Sequence, residues 1–369
     1  MRRREQTFNF SGGPAVMPES VLIRAQSELL NWHNSGMSVL EMPFTGSHFM
    51  GIMASAKQKI RQILSVPDNY HVLFMQGGAS TQFALVPMNL LSAHGQAVYI
   101  DSGYWSRKAA TDAAAFGRVH IGASNQDRQP LSMPEASTWS IPDNADYCHI
   151  TSNETAQGVA LHTDPQLAST ALIADMTSDF MSRPIRIENY AMLYAGTQKN
   201  IGPTGLVILI IRDDLLEKMR PETPRMLSYK QHIINNNRLN TPLTYSIYLT
   251  DLVCDWIIQQ GGVSALLARN QQRAQRLYNI IDQDSFYTCA VDPLHRSIMN
   301  ICFHLPTPQL KQHFIATAEQ QGLLHLQGHQ QFGGIRASLY NAQTDQTLQA
   351  LGHFMQQFRT TYSRCHEQP

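Results

Sequence analysis

Lys199 lies in a loop of small residues, Thr197-Gln198-Lys199-Asn200-Ile201-Gly202, between two apolar runs of the chain. A lysine in such a place is partly removed from water, which favours the neutral amine that bonds covalently to a carbonyl carbon. The tight turn also leaves room for a flat cofactor. An ordinary surface lysine is the other interpretation, and the loop alone does not decide between them.

Two further segments suit a cofactor that has a ring and a phosphate. Asp175 ends the apolar run Leu172-Ile173-Ala174, where a carboxylate can face the ligand crevice and keep a pyridine nitrogen protonated. A turn or helix-cap aspartate is the alternative. Gly77-Gly78-Ala79-Ser80-Thr81 lies between a strand and a helix, where backbone N–H groups hold phosphate. No Walker or GxGxxG pattern is present, so nucleotide cofactors are disfavoured.

Trp105 and Arg336 are the other two candidates. Trp105, in Gly103-Tyr104-Trp105, either stacks on a planar ring or fills a core. Arg336 is a single arginine within an otherwise apolar stretch of small residues. Burying a guanidinium there is costly without a carboxylate, so it either clamps a substrate α-carboxylate or forms an internal ion pair.

The composition is that of a globular protein with a sizeable core. The 369 residues are 43% hydrophobic, and basic and acidic side chains balance to a formal net charge of zero. We therefore expect neither nucleic acid nor a membrane as a partner. The five cysteines, Cys148, Cys254, Cys289, Cys302 and Cys365, form no CxxC pair. This pattern fits a reducing compartment, and we expect a cytoplasmic protein.

The order of elements indicates an α/β fold. Short apolar runs between residues 70 and 260 alternate with polar stretches, which is typical of a mainly parallel sheet covered by helices. A helix is predicted over residues 18–34, and Gly261-Gly262 marks a helix stop and a hinge. We expect a large domain over residues 16–260 and a smaller α+β domain over residues 1–15 and 261–369.

Taken in order, these motifs resemble the phosphoserine aminotransferases, class V aminotransferases of pyridoxal-5'-phosphate (PLP) fold type I. The similarity extends over roughly residues 7–360. It is carried by Asn9-Phe10-Ser11-Gly12-Gly13-Pro14-Ala15, Gly77-Gly78-Ala79-Ser80, Gly103-Tyr104-Trp105, Ser152-Asn153-Glu154-Thr155, Asp175 with Ser182-Arg183-Pro184, Gln198-Lys199-Asn200-Ile201-Gly202, Asn240-Thr241-Pro242 and Arg336-Ala337-Ser338-Leu339-Tyr340-Asn341.

The resemblance implies a role for each of these residues. Lys199 would carry PLP covalently and move a proton, and Asp175 would pair with the ring nitrogen. Trp105 would stack on the ring and Thr155 would hydrogen-bond its phenolic oxygen. The cofactor phosphate would be held by Ala79, Ser80 and Gln198, and by Asn240 and Thr241 of a second subunit, which implies a homodimer with shared sites. Arg336 would bind the substrate α-carboxylate.

The chain departs from the family in the substrate pocket. Phe44 and Thr45 stand where the family usually has a His-Arg pair, and Gly328-His329-Gln330 replaces Gly-His-Arg. Two arginines that would grip the substrate phosphate are therefore absent. Charge-assisted hydrogen bonds are worth about 1.5–3 kcal/mol each, so their loss weakens phosphate recognition by orders of magnitude.

We therefore expect a PLP-dependent aminotransferase of biosynthesis that acts on a less anionic pair of amino acid and 2-oxo acid. The alternative is a phosphoserine:2-oxoglutarate aminotransferase of serine biosynthesis with a rearranged phosphate site. Another PLP reaction, such as β-elimination, is a further alternative. A metal-dependent hydrolase is disfavoured, because His325 and His329 have no adjacent carboxylate and no HExxH motif is present. No metal site is expected.

Overall fold

A computed structural model describes residues 3–363 of the chain. Its strands, in chain order, are β1 (Phe8–Asn9), β2 (Tyr70–Gln76), β3 (Gln96–Asp101), β4 (Arg118–Ser124), β5 (Ala145–Thr151), β6 (Asn153–Glu154), β7 (Val159–Ala160), β8 (Ala171–Asp175), β9 (Met192–Gly196), β10 (Leu206–Arg212), β11 (Asn300–Phe303), β12 (Leu323–Leu324) and β13 (Ile335–Ser338). Its α-helices are α1 (Glu19–Ser27), α2 (Ser47–Leu64), α3 (Ala79–Leu90), α4 (Tyr104–Ala113), α5 (Tyr229–Ile234), α6 (Thr244–Gln259), α7 (Gly262–Ile281), α8 (Pro308–Gln320) and α9 (Asp345–Tyr362).

Seven strands form the central sheet in the order β2-β10-β9-β8-β5-β3-β4. The pairs from β9 to β4 are parallel, and β10 is antiparallel to both β2 and β9. The α/β prediction with a mainly parallel sheet is therefore confirmed. Because parallel strands end at the same edge, the residues that follow β5, β8 and β9 converge in space.

Both faces of this sheet are buried along its inner strands, which explains their continuous apolar runs. Along β10, Leu206, Ile208 and Ile210 point into one hydrophobic core. Val207, Leu209 and Ile211 point into the core on the opposite face. The alternation follows from the two-residue repeat of a strand.

A third core lies in the C-terminal part of the chain. Helices α7, α8 and α9 pack there with the two-stranded sheet of β11 and β13. The N-terminal segment joins this core through Phe10, and β1 pairs with β12. We propose that this third core belongs to the smaller domain expected from residues 1–15 and 261–369.

The helix predicted over residues 18–34 is shorter than expected. Helix α1 ends at Ser27, and a separate 3-10 turn follows at Trp32–Asn34. His33 and Asn34 have positive φ angles of 46° and 59°, which no α-helix accommodates. The predicted stop at Gly261 is confirmed, because this residue adopts the left-handed conformation at φ 89° between α6 and α7.

Within residues 3–363, no helix is long and apolar enough to cross a membrane. Cys148, Cys254, Cys289 and Cys302 are free thiols. Cys365 lies outside the described residues.

We expect Leu209→Ala to lower the free energy of unfolding by about 2–5 kcal/mol, because the substitution leaves a cavity in a packed core. Leu209 is fully buried in strand β10 of the central sheet. The matched control is Leu30→Ala, since Leu30 is 85% exposed, and it should change stability by no more than about 0.5 kcal/mol. Urea titrations followed by circular dichroism measure both. Equal losses in the two variants would contradict the assignment of the core.

Candidate active site

A cavity of about 490 Å³, counted to its open mouth, lies where the parallel strands end. Asp175 is the last residue of β8, Thr151 is the last residue of β5, and Lys199 follows β9. The start of α3 closes another side. The lining comprises Gly78, Ala79, Ser80, Phe83, Trp105, Thr151, Asn153, Thr155, Asp175, Thr177, Ser178, Gln198 and Lys199.

Lys199 has the environment of a reactive amine. Its Nζ donates a hydrogen bond to the Thr155 hydroxyl at 2.5 Å and lies 5.8 Å from the ring centroid of Trp105. Burial lowers the pKa of Lys199 to about 8; nearby Asp175 opposes this shift and Arg336 adds to it. A substantial fraction of the amine is therefore neutral near physiological pH.

Asp175 places a carboxylate deep in the same cavity. The side chain is 5% exposed, and Oδ1 accepts a hydrogen bond from the backbone N–H of Thr177 at 2.9 Å. Burial raises the pKa of Asp175, while the hydrogen bonds from Thr177 and the charge of Lys199 oppose the rise. A cationic N–H group beside this carboxylate would hold it in the ionised form.

The turn after β2 has the geometry that a phosphate cradle requires. Gly78 is the N-cap of the twelve-residue helix α3, so the free N–H groups of its first turn face the cavity together with the positive end of the helix dipole. Gly77 has a φ of +111° and donates its N–H to the Gly205 carbonyl at 2.8 Å. This bond ties the cradle to the segment that carries Lys199.

Glu154 is an important residue to which the sequence assigned no role. Its buried carboxylate accepts the backbone N–H groups of Trp105 at 2.8 Å and Ser106 at 2.9 Å, and so caps α4. Burial raises the pKa of Glu154 while these bonds oppose the rise. The cap fixes Trp105 at the cavity wall. The sequence signal was Gly103, the N-cap residue of α4: glycine has no side chain to cap the helix, so a cap from elsewhere in the chain is expected.

The predicted substrate-binding residues divide into two groups. Arg336 and His329 lie near the cavity: the Arg336 charge acts on Lys199, and the His329 ring lies 4.4 Å from that of Tyr104, the neighbour of Trp105. Gln330 and Thr45 are exposed and lie outside the cavity. Phe44 packs against the hydrophobic core that contains Leu206, Ile208 and Ile210. Burial, together with Arg336, lowers the pKa of His329.

Asn240 and Thr241 do not line the cavity of their own chain. Gln76, at the end of β2, donates a hydrogen bond to the Thr241 carbonyl at 2.5 Å and accepts one from Asn240 at 3.4 Å. Thr241 and Phe44 instead border one shared surface depression. The assignment of these residues to a partner's site stays a prediction.

The residues present fit PLP. The Thr151 hydroxyl lines the cavity, is buried and has no hydrogen-bond partner among residues 3–363. A partly neutral lysine, a buried carboxylate for a ring nitrogen, an indole beside them and a helix N-terminus for a phosphate complete the donor set. This arrangement on a mainly parallel sheet defines a PLP-dependent transferase. The described residues contain no cluster of three metal-ligating side chains.

Comparison with known proteins gives the family. Residues 7–351 match the family model for class V aminotransferases. The chain is 45% identical to the phosphoserine aminotransferase of Pseudomonas entomophila over 359 residues, which are 97% of this chain and 99% of the relative. The Nitrosomonas europaea phosphoserine aminotransferase is also 45% identical, over 96% of this chain and 99% of the relative.

Comparison with solved structures gives the same family as the sequence comparison. The phosphoserine aminotransferase of Bacillus circulans subsp. alkalophilus superposes with a TM-score of 0.95 at 39% identity, covering 97% of this chain and 99% of that one. The PLP-bound enzyme of Trichomonas vaginalis gives 0.91 at 36% identity, covering 95% and 99%. The chain therefore belongs to the phosphoserine aminotransferase family of class V aminotransferases. It is a PLP-dependent aminotransferase, which confirms the predicted enzyme class and cofactor.

We expect the rate at which PLP attaches to the cofactor-free protein to rise with pH around a midpoint near 8. The neutral amine is the reactive form, and burial places the pKa of Lys199 at about 8 instead of 10.5. At pH 7.5 about a quarter of Lys199 is neutral, against about one in a thousand for an ordinary lysine. Stopped-flow absorbance measures the rate.

Lys199→Ala should abolish the covalent absorbance band, and Lys218→Ala, at an exposed lysine, should behave like the wild type. A midpoint above pH 10 would contradict the lowered pKa of Lys199, and a band that persists in Lys199→Ala would show that another amine carries the cofactor.

Proposed function

We propose that this enzyme catalyses the reversible transfer of an amino group between O-phospho-L-serine and 2-oxoglutarate, and that in serine biosynthesis it runs from glutamate towards phosphoserine. The observation that carries this proposal is the near full-length similarity, at 45% identity, to enzymes named phosphoserine aminotransferase. A cavity that brings together the expected cofactor-facing residues of one chain supports it. The free thiols of the described cysteines fit a cytoplasmic location.

Each of the cavity residues has its own role in amino transfer. When bound, PLP supplies an electron sink for the bonds at the substrate Cα. Arg336 binds the α-carboxylate, for which its guanidinium is free: residues 3–363 provide it with no acidic partner. Lys199 takes the proton from Cα of the amino donor and supplies one to Cα of the acceptor in the second half of the reaction, because its pKa near 8 suits both directions at neutral pH. Asp175 and Trp105 orient the ring.

A second candidate is favoured by the residues that stand where the family usually has basic residues for the substrate phosphate. A phosphate dianion in a partly closed site requires charge-assisted donors. Phe44, Thr45 and Gln330 supply no positive charge, and the lowered pKa of His329 favours the neutral ring. The second candidate is therefore the transfer of an amino group from a less anionic amino acid to a matching 2-oxo acid.

We also propose that the enzyme is a homodimer with shared sites. The segments that contain Phe44 and Thr241 lie side by side on the surface and outside the cavity of their own chain. The exposed Leu40 and the partly buried Leu243 border the same depression, so the patch is apolar in part. Facing a second copy would cover this patch and bring Asn240 and Thr241 to the partner's cofactor phosphate.

Absorbance spectra of the PLP-loaded enzyme distinguish the two substrate candidates. We expect phosphoserine and glutamate, added separately, to convert the bound cofactor to its amino form. Two arginines are missing, so the double variant Thr45→Arg/Gln330→Arg should restore phosphate binding. The phosphoserine concentration that converts half of the cofactor should fall at least tenfold in this variant, while the corresponding alanine concentration should change by less than twofold. Gln331→Arg, at an exposed neighbouring position, is the matched control.

If neither phosphoserine nor glutamate converts the wild-type cofactor, whereas an uncharged amino acid does, the phosphoserine proposal is wrong and the second candidate replaces it.

Subunit mixing tests the shared site. Lys199→Ala and the double variant Asn240→Ala/Thr241→Ala should each have little activity at limiting PLP. A heterodimer of the two contains one site with an intact Lys199 and an intact Asn240-Thr241 pair. Equal mixing after mild dissociation should therefore restore up to about a quarter of wild-type activity. If Asn240 and Thr241 served their own chain, mixing would restore nothing.

A further inference from the structure

The N-terminal strap, residues 9–15, passes between the two key cations of the site. The guanidinium of Arg336 lies directly on Gly12: a Cβ atom built there would be 2.5 Å from Nη2 and 2.6 Å from Cζ. A Cβ atom on the next residue, Gly13, would lie 3.4 Å from Cγ of Lys199. Two adjacent glycines thus separate the side chain proposed to bind the α-carboxylate from the side chain that carries the cofactor.

Backbone hydrogen bonds fix this strap at both ends. Phe10 donates its N–H to the Leu324 carbonyl at 3.0 Å and accepts the N–H of Ser338 at 3.3 Å. Ala15 donates its N–H to the Gln198 carbonyl at 2.9 Å. The strap is therefore anchored to the strand of Arg336 on one side and to the loop of Lys199 on the other.

Tyr340 fixes the middle of the strap. Its side chain is 1% exposed, and its hydroxyl donates a hydrogen bond to the Gly12 carbonyl at 3.1 Å. The Tyr340 hydroxyl oxygen also accepts a hydrogen bond from Asn300 Nδ2 at 3.2 Å. Asn300 in turn accepts a hydrogen bond from the Asn153 side chain at 2.8 Å. Burial raises the pKa of Tyr340 to about 12, so the hydroxyl keeps the proton that it donates.

Packing on the strap defines the position of Arg336, since its guanidinium has no partner among residues 3–363 to hold it. The Nε atom is buried without a hydrogen bond, and no carboxylate of the described chain lies within ion-pair distance. An arginine placed in this way remains available for a bidentate bond to an incoming carboxylate. The place at which Arg336 binds that carboxylate depends on the position of the Gly12 backbone, on which the guanidinium packs.

We propose that Gly12 and Tyr340 are positioning residues that set the distance between the α-carboxylate site at Arg336 and the reactive end of Lys199. The proposal rests on the proposed role of Arg336 in binding the substrate carboxylate. Gly12 is required because any side chain at this position displaces the Arg336 guanidinium. Tyr340 is required because its hydrogen bond to the Gly12 carbonyl holds the strap in place beneath that guanidinium.

Two aminooxy probes test the proposal on the PLP-loaded enzyme. Aminooxyacetate carries a carboxylate and methoxyamine does not, and both change the absorbance of the bound cofactor when they react with it. We expect Gly12→Ala to slow aminooxyacetate at least tenfold and Tyr340→Phe to slow it about three- to tenfold, through loss of carboxylate alignment. Methoxyamine should stay within twofold of the wild type in both variants.

Matched controls separate positioning from general damage. Gly51→Ala introduces a Cβ that meets no atom within 4 Å, and Tyr287→Phe removes a buried hydroxyl bonded to the Met355 carbonyl in the third core. Both should react with either probe like the wild type. Equal slowing of the two probes in Gly12→Ala and Tyr340→Phe, or no slowing of aminooxyacetate in either, would overturn the proposal. These reactions need no phosphoserine, so they succeed or fail independently of the substrate assignment.

Discussion

The site depends on holding the Lys199 amine and the Asp175 carboxylate in one desolvated cavity. Removing an ammonium from water is costly, which is why burial lowers the pKa of Lys199 to about 8. The same burial raises the pKa of Asp175. A cofactor with a carbonyl carbon for the amine and a basic ring nitrogen for the carboxylate satisfies both groups. The mainly parallel sheet makes this possible because β8 and β9 end side by side.

A buried polar network connects this cavity to the rest of the chain. Asn153 bonds to Ser178 at 2.9 Å and to Asn300 at 2.8 Å, and Asn300 bonds to Ser338 at 3.0 Å. These contacts join the edge of the large sheet to β11 and β13. Because each member is buried and partnered, the network resists small displacements. Arg336 and Lys199 come from different cores, yet this network and the N-terminal strap fix them relative to each other.

The sequence predicted the fold and one side of the site well, for physical reasons. Apolar runs without alternation indicate a sheet buried on both faces, and glycine turns after strands indicate phosphate cradles. Ala79, Ser80, Trp105, Thr155, Asp175, Gln198 and Lys199 do lie around one cavity. The early end of α1 at Ser27 was missed because no glycine or proline follows Pro18 until Gly36. Glu154 was missed because a carboxylate that caps a helix 50 residues away has no local pattern.

The substrate side is less predictable because it combines residues from distant segments and, as we propose, from a second subunit. The central claim is that Lys199 carries the cofactor, and borohydride reduction of the PLP-loaded enzyme followed by peptide mapping tests it most directly. We predict a single pyridoxyl group, on Lys199. A pyridoxyl group on another lysine, such as Lys57 or Lys108, with Lys199 unmodified, would contradict the account.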